Sequence, residues 1–401
     1  MGEARLRWSD RLRRMLTYPK FAGETRLLIL HTQYFFDRGW RHAAESLGWQ
    51  VAEAPSVMVG GLTREQIRAL FVTIGEFKPD FILASNFAGM DEEGLFARFF
   101  EDARLPYVSW FTDTPRMILF QRKVYPSHYL VAASWERAYI PHFERLGFQH
   151  VLFLPLATDP SIFHGGPSDR FERDVAFVGH SMINHAQDAW RRLERWPEVA
   201  AAVREAFECG RVTREDFSRG IEHVVHLDAR PDCSEETLRD VELLLVYEAT
   251  RRQRRELVQS LESLRIEVRG DPHWKQVTEL ADGPVGYFDD LAPYYRSTAV
   301  NLNSTSLQMK SAVNQRVFDC PAAGGFLITD AQGDLEELFD TGQEVVTYSD
   351  IGELKDRVTY YLRHPEERKG VIERAQRRIL ARHTHRHRLL ALEKFLEERY
   401  T

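Results

Sequence analysis

The chain has 401 residues, 43% of them apolar and 28% charged, with a formal net charge of −7. Those proportions describe a globular protein long enough for two domains with full cores. The acidic balance leaves no basic excess to neutralise phosphates, which argues against a nucleic-acid binder, and no apolar run approaches the ~18 residues of a membrane span. Three scattered cysteines, Cys209, Cys233 and Cys320, lack metal spacing and point to a reducing compartment without a disulfide framework. With no signal peptide in evidence, a cytoplasmic location is expected.

Residues 1–24 are Arg-rich and amphipathic and read as a surface helix. From Arg26 short apolar runs alternate with helical stretches. Strands are predicted at RLLILHT (26–32), DFILASN (80–86), PYVSWFTD (106–113), HYLVAAS (128–134) and HVLFLPLA (150–157). Helices are predicted at Gly39–Leu47, Asp91–Ala103 and Trp135–Leu146. Apolar runs flanked by helices indicate strands buried on both faces, hence a parallel, doubly wound sheet with ligands at its carboxyl end.

The segment ATDPSIFHGGPSDR (157–170) gathers Pro, Gly, Ser and Asp and reads as a linker. A second α/β run opens with the strand DVAFVGHS (174–181) and continues through charged helical regions at about 186–208 and 234–262. The strands RIEVRG (265–270), TAVNLNST (298–305) and EVVTYSD (344–350) follow, with helices at LAPYYRS (291–297), 351–363, 365–381 and about 385–399. Domains are therefore expected at 1–160 and 170–384, with the last helix (about 385–401) packing back on the first.

The segment NQRVFDCPAAGGFLITD (314–330) begins as a helix, turns on two glycines and ends as an apolar strand. A helix N-terminus favours anions. Arg316 in the first turn suits bidentate contact with a phosphate, and Asn314 opens the same segment. Asp319, one turn on, is a carboxylate in an apolar run, costly to bury without partners and suited to ribose hydroxyls. Diphosphate with ribose implies a nucleotide.

These residues resemble the C-terminal domain of the CgeB-like (spore maturation type) glycosyltransferases of the GT-B superfamily. WFTDTP (110–115), FLPLATDPSIF (153–163), ELFDTGQEV, YYLRHPEER and HTHRHR extend the resemblance along most of the chain. Asp319, five residues before Gly324, matches the family's ribose-binding acid, but Ser311 stands eight residues before it where a first acid is expected. That departure leaves retention or inversion open.

The resemblance implies an α/β GT-B fold of two Rossmann-like domains facing a central cleft. It implies a hexosyltransferase-like enzyme using a UDP-, GDP- or dTDP-sugar. The acceptor would be a surface glycan, a lipid-linked sugar or a protein such as flagellin. Gly179 and His180, in the first loop of the second domain, are expected to face the donor, and Tyr287 or Phe288 its base. Asp113 is the candidate base for the acceptor proton, and its alternative is a turn cap before Thr114-Pro115. His31, Gln33 and Asn86 end first-domain strands on the acceptor side.

No Asp-x-Asp metal motif is present, since Phe111 lies two before Asp113. No metal or other cofactor is therefore required, the helix terminus and Arg316 meeting the leaving diphosphate instead. His383, His385 and His387 at alternate positions do not share a helix face and are read as a solvated or domain-crossing segment. A nucleotide-sugar epimerase of the same architecture and a non-catalytic sugar-nucleotide-binding protein remain alternatives.

Overall fold

The computed structural model describes residues 15–32, 35–56, 62–120, 122–225 and 234–401. Residues 1–14 of the expected N-terminal helix, Gln33 and Cys233 lie outside them. The chain divides into two compact units. The first runs up to Pro155 and includes Thr384–Thr401, and the second is Leu156–His383.

The first unit holds a six-stranded parallel sheet: β1 (Arg26–His31), β2 (Gln50–Pro55), β3 (Phe81–Ser85), β4 (Tyr107–Phe111), β5 (Leu130–Ser134) and β6 (His150–Phe153), in the order β2-β1-β3-β4-β5-β6. Every residue of β3, β4 and β5 is buried, as strands covered by helices on both faces must be. Trp40 and Trp110 stack at 5.5 Å with Phe36 beside them. His385, at the start of the last helix (His385–Tyr400), meets the Phe36 ring edge-on at 5.7 Å. β2 has no apolar run and only one buried residue, Ala54, so its pairing with β1 shows in backbone register and not in composition. Where Trp135–Leu146 reads as one helix, the structure has a 3-10 turn at Arg137–Tyr139 and a short helix at Ile140–Arg145, with Pro141 in its first turn.

The second unit repeats the plan with β7 (Arg173–Val178), β8 (Glu267–Arg269), β9 (Ala281–Asp282), β10 (Thr298–Leu302), β11 (Leu327–Asp330) and β12 (Val346–Tyr348), in the order β12-β11-β10-β7-β8-β9. Between β7 and β8 stands a set of helices, Ile183–Leu193, Pro197–Glu208, Arg214–Arg219, Ile221–Val225 and Glu235–Ser260. They enclose an apolar core of their own, built on Leu193, Val203, Phe217, Val224 and Leu244.

The expected linker is for its first half a packed part of this unit. Ala157 and Thr158 are fully buried, and Phe163 is 1% exposed. The Thr158 amide donates to His383 O. The apolar Ile162 and Phe163 supply the packing that the Pro/Gly/Ser/Asp composition conceals.

Candidate functional site

In each sheet the strand order reverses direction at one point, between β1 and β3 in the first unit and between β7 and β10 in the second. Crevices outside the carboxyl ends of strands at such points are where open α/β sheets bind ligands.

Arg316 opens the helix Arg316–Ala322, and its guanidinium donates to Val178 O at the end of β7 and to Asn303 Oδ1 just after β10. It therefore bridges the reversal point of the second sheet. Asn314 donates from Nδ2 to the same Asn303 oxygen at 2.8 Å.

Beside Arg316 lies Arg254, from the long helix Glu235–Ser260 and only 7% exposed. Arg254 donates to His180 O at 2.6 Å and to Ser304 O at 3.5 Å. Burial, then the Arg316 charge, depresses its pKa to about 10. Among the described residues neither guanidinium forms an ion pair with a carboxylate, and the Nε of each is buried without a partner.

Asp319 is 1% exposed and fully engaged. Its carboxylate accepts from Thr158 Oγ1 at 2.6 Å, Tyr287 OH at 2.8 Å and Gln315 Nε2 at 3.0 Å. Burial drives its pKa up to about 7, although those three donors oppose the rise. Tyr287 is fixed on its other side by the Phe163 ring, edge-on at 5.2 Å, with Phe288 next to it at 5.3 Å. The ordinary pKa of Tyr287 is raised, first by burial and then by Asp319.

The loop after β7 is tied down from below. The Gly179 amide donates to Arg269 O at 2.9 Å, and its carbonyl accepts from Trp274 Nε1 at 2.8 Å. Asp271 accepts from the Ser181 amide at 2.5 Å and hydroxyl at 2.8 Å, and lies 3.3 Å from His180 Nδ1. Burial opposes ionisation of Asp271, but the Ser181 donors, the His180 charge and the His273 amide outweigh it and hold the carboxyl below its usual value. His180 is exposed, yet partial desolvation lowers its pKa against the pull of Asp271.

The amide of Gly179 is thus committed to the sheet, and the loop is held by side chains more than by glycine flexibility. Gly324, at φ +88°, serves a close approach of backbones, because a Cβ there would collide with Gly166 O.

In the first unit Asn86, fully buried at the carboxyl end of β3, bonds the expected Asp113 and also Thr112. Its Nδ2 donates to Asp113 Oδ2 at 2.8 Å, and its Oδ1 accepts the Thr112 amide at 2.9 Å. Asn86 and Phe87 both adopt left-handed backbone, φ +47° and +61°, a strained pair of the kind that gathers at functional sites. His31 ends β1 with Nδ1 3.2 Å from the fully buried Asp37.

Four contributors escape the sequence reading: Arg254, Asp271, Asp37 and Thr158. Arg254 carried a signal. It lies four residues after Thr250 and three and four before Leu257 and Val258, on the buried face of its helix. Asp271 stands before Pro272 as the cap of a 3-10 turn. Of the His383, His385 and His387 run, His383 Nε2 bonds Leu338 O at 2.9 Å and His387 shares a capping box with Thr384. Among the described residues no group of three His, Cys, Asp or Glu is placed to hold a metal ion.

Residues 251–394 match the family described as "Glycosyl transferase-like". No protein of curated function matches the sequence. Among solved structures, sucrose-phosphate synthase from Thermosynechococcus elongatus superposes with a TM-score of 0.53 at 10% identity, covering 94% of this chain and 99% of that one. A glycosyltransferase from Rickettsia africae covers 94% and 99% at 10% identity with a TM-score of 0.47. Anabaena HepE, in complex with UDP-glucose, covers 94% and 100% at 11% identity with a TM-score of 0.48. The two parallel six-stranded sheets and their helices constitute a two-domain α/β fold of the GT-B glycosyltransferase type.

Proposed function

We propose that the protein is a glycosyltransferase that takes a hexosyl group from a nucleoside-diphosphate donor bound on its second unit. The observation that carries this reading is the Arg254–Arg316 pair. Two like charges at the carboxyl ends of β7 and β10 bond carbonyl and amide oxygens and, for Arg316, the Tyr295 side chain, and neither forms an ion pair among the described residues. A buried cation such as Arg254 with no carboxylate in direct contact is costly, Asp330 and Asp271 compensate it only in part, and a diphosphate supplies the missing charge in the geometry guanidinium groups favour. The family match over 251–394 spans both arginines and supports the assignment.

In this reading Asp319 takes ribose hydroxyls in place of the Tyr287 hydroxyl, and Tyr287 and Phe288 lie beside the base. The guanidiniums meet the charge that grows on the departing diphosphate, in the role a divalent cation would otherwise fill. On an inverting course Asp113 takes the acceptor proton, held in orientation by Asn86. The acceptor oxygen then bonds to the anomeric carbon as the bond to the diphosphate oxygen breaks. His31, paired with Asp37, serves the same acceptor side. The resemblance of WFTDTP and FLPLATDPSIF extends the reading to an acceptor on a surface glycan or glycoprotein.

The test is incubation of the chain with UDP-, GDP- and dTDP-sugars, with analysis of both nucleotide and sugar. Release of nucleoside diphosphate with sugar transferred or hydrolysed supports the proposal, provided Arg316→Gln and Arg254→Gln abolish it. An isomerised sugar on intact nucleotide indicates an epimerase, and binding without turnover a non-catalytic role. Either result overturns the assignment.

A further inference from the structure

A cavity in the second unit, of about 320 Å³, lies between the helices Ile183–Leu193 and Glu235–Ser260 and the turn Pro272–Gln276. Its lining includes neither Arg316 nor Asp319, and its volume is at the lower end of small-molecule sites.

Ile183, Ala186, Val277 and two indoles form its apolar part, Trp190 giving the accessible ring and Trp274 the buried floor. Trp274 is 1% exposed and its Nε1 is tied to Gly179 O, which fixes the ring. Trp190 is half-buried, with the Arg204 guanidinium 5.1 Å from its centroid. Around them stand the forked side chains of Gln187, Gln276, Arg251 and Arg255. One accessible flat ring, that of Trp190, with planar, multiply donating groups at its rim suits a sugar ring, which offers a C–H face and hydroxyls at its edge.

The charge is not balanced. Glu248 is shared by Arg251 Nη2 at 2.7 Å and Arg252 Nε at 2.7 Å. Arg255, exposed and one turn on from Arg251, forms no ion pair among the described residues. Residues four apart share a helix face, and like charges there repel. An anion between Arg251 and Arg255 removes that repulsion, and a guanidinium takes a carboxylate in bidentate fashion.

We infer that this cavity is a binding site for an acidic saccharide, a sugar unit bearing a carboxylate, distinct from the Arg254–Arg316 pair although Ser181 of the loop after β7 and Trp274 that seats it also line it. It involves no transfer step and does not depend on the reading of Arg254 and Arg316.

The test uses the full chain without nucleotide, titrated with a glucuronate-containing disaccharide and its neutral glucose counterpart. Binding is followed by saturation-transfer NMR and tryptophan fluorescence. The acidic disaccharide should bind at least ~10-fold more tightly. Arg255→Gln, at an exposed position, should erase the preference, and Trp190→Phe should weaken both sugars while the melting temperature shows the fold retained. Arg316→Gln should leave this binding unchanged. Equal affinity for the two sugars, equal affinity for sulfate alone, or no saturation transfer would each overturn the inference.

Discussion

The guanidinium groups of Arg254 and Arg316 lie over the same ring, that of Phe177 at the end of β7, 5.9 and 5.5 Å from its centroid. The ring face offers each cation some compensation, but it supplies no net negative charge. Pyrophosphate should therefore raise the melting temperature by several degrees at concentrations where sodium chloride of equal ionic strength does not. A ligand present at 100 times its Kd stabilises by ~2.7 kcal/mol. Arg316→Gln and Arg254→Gln should each remove most of the shift. An unchanged pyrophosphate response in both variants would show that the anion binds elsewhere.

Asp319 makes stability depend on pH. Its folded pKa of about 7 stands above the ordinary 3.8, so between those values the folded chain binds a proton that the unfolded chain has lost. Stability from this group is complete in acid and falls as pH rises toward 7. The total is on the order of 4 kcal/mol. Melting temperature should decline between pH 5 and pH 8, and Asp319→Asn, the isostere of the protonated acid, should flatten that decline. Parallel curves for the two proteins would disprove the burial argument.

The same site shows what a sequence can and cannot disclose. The strands around Leu27–Leu30, Phe81–Ala84 and Leu130–Ala133 are fully buried and announce themselves by unbroken apolar runs. Asp319 stands out because it interrupts such a run, and Arg316 because it opens the helix that carries it. Arg254 sits among Arg251, Arg252 and Arg255, and only its register with Leu257 and Val258 separates it from its solvent-facing neighbours. Thr158 and Asp319 are 161 positions apart, so their 2.6 Å hydrogen bond leaves no local trace. The helices between β7 and β8 are visible as charged stretches. That they close a core of their own follows from packing, since the four shorter helices meet the buried stretch Val241–Val246 of the long one only in the folded chain.

If Asp113 is the base, its loss and the loss of its holder should differ in degree but not in kind. General-base catalysis contributes roughly 10²- to 10⁴-fold, so Asp113→Asn should lower kcat within that range with donor KM little changed. Asn86→Gly removes the 2.8 Å hydrogen bond to Asp113 while accepting the left-handed φ of +47°. It should lower kcat less, roughly 10-fold, with a shifted pH–rate profile. A full kcat in Asp113→Asn would pass the role to His31, testable in turn by His31→Gln.

Because the diphosphate charge is assigned to guanidinium groups, turnover should survive a chelator. Activity in excess EDTA should stay within about two-fold of that in magnesium, whereas Arg316→Gln should not be rescued by added magnesium or manganese. Loss of activity on chelation, restored by the metal, would contradict the electrostatic assignment.

Gly270 packs directly under the loop after β7. A Cβ there would collide with Gly179 O and stand 2.9 Å from Trp274 Nε1, the two groups whose 2.8 Å hydrogen bond seats the turn after β7. Neither is the free end of a flexible chain, since one is backbone and the other a fully buried indole. Gly270→Ala must therefore displace the loop, at roughly 1–3 kcal/mol in urea denaturation. Gly283→Ala, where a Cβ meets nothing within 4 Å, is the control and should stay within ~0.5 kcal/mol. The displacement also moves His180 O, to which Arg254 donates, so nucleoside-diphosphate affinity should fall in Gly270→Ala and hold in Gly283→Ala. Equal affinities in the two variants would mean that the Gly179–Trp274 tie supports the fold without shaping the site.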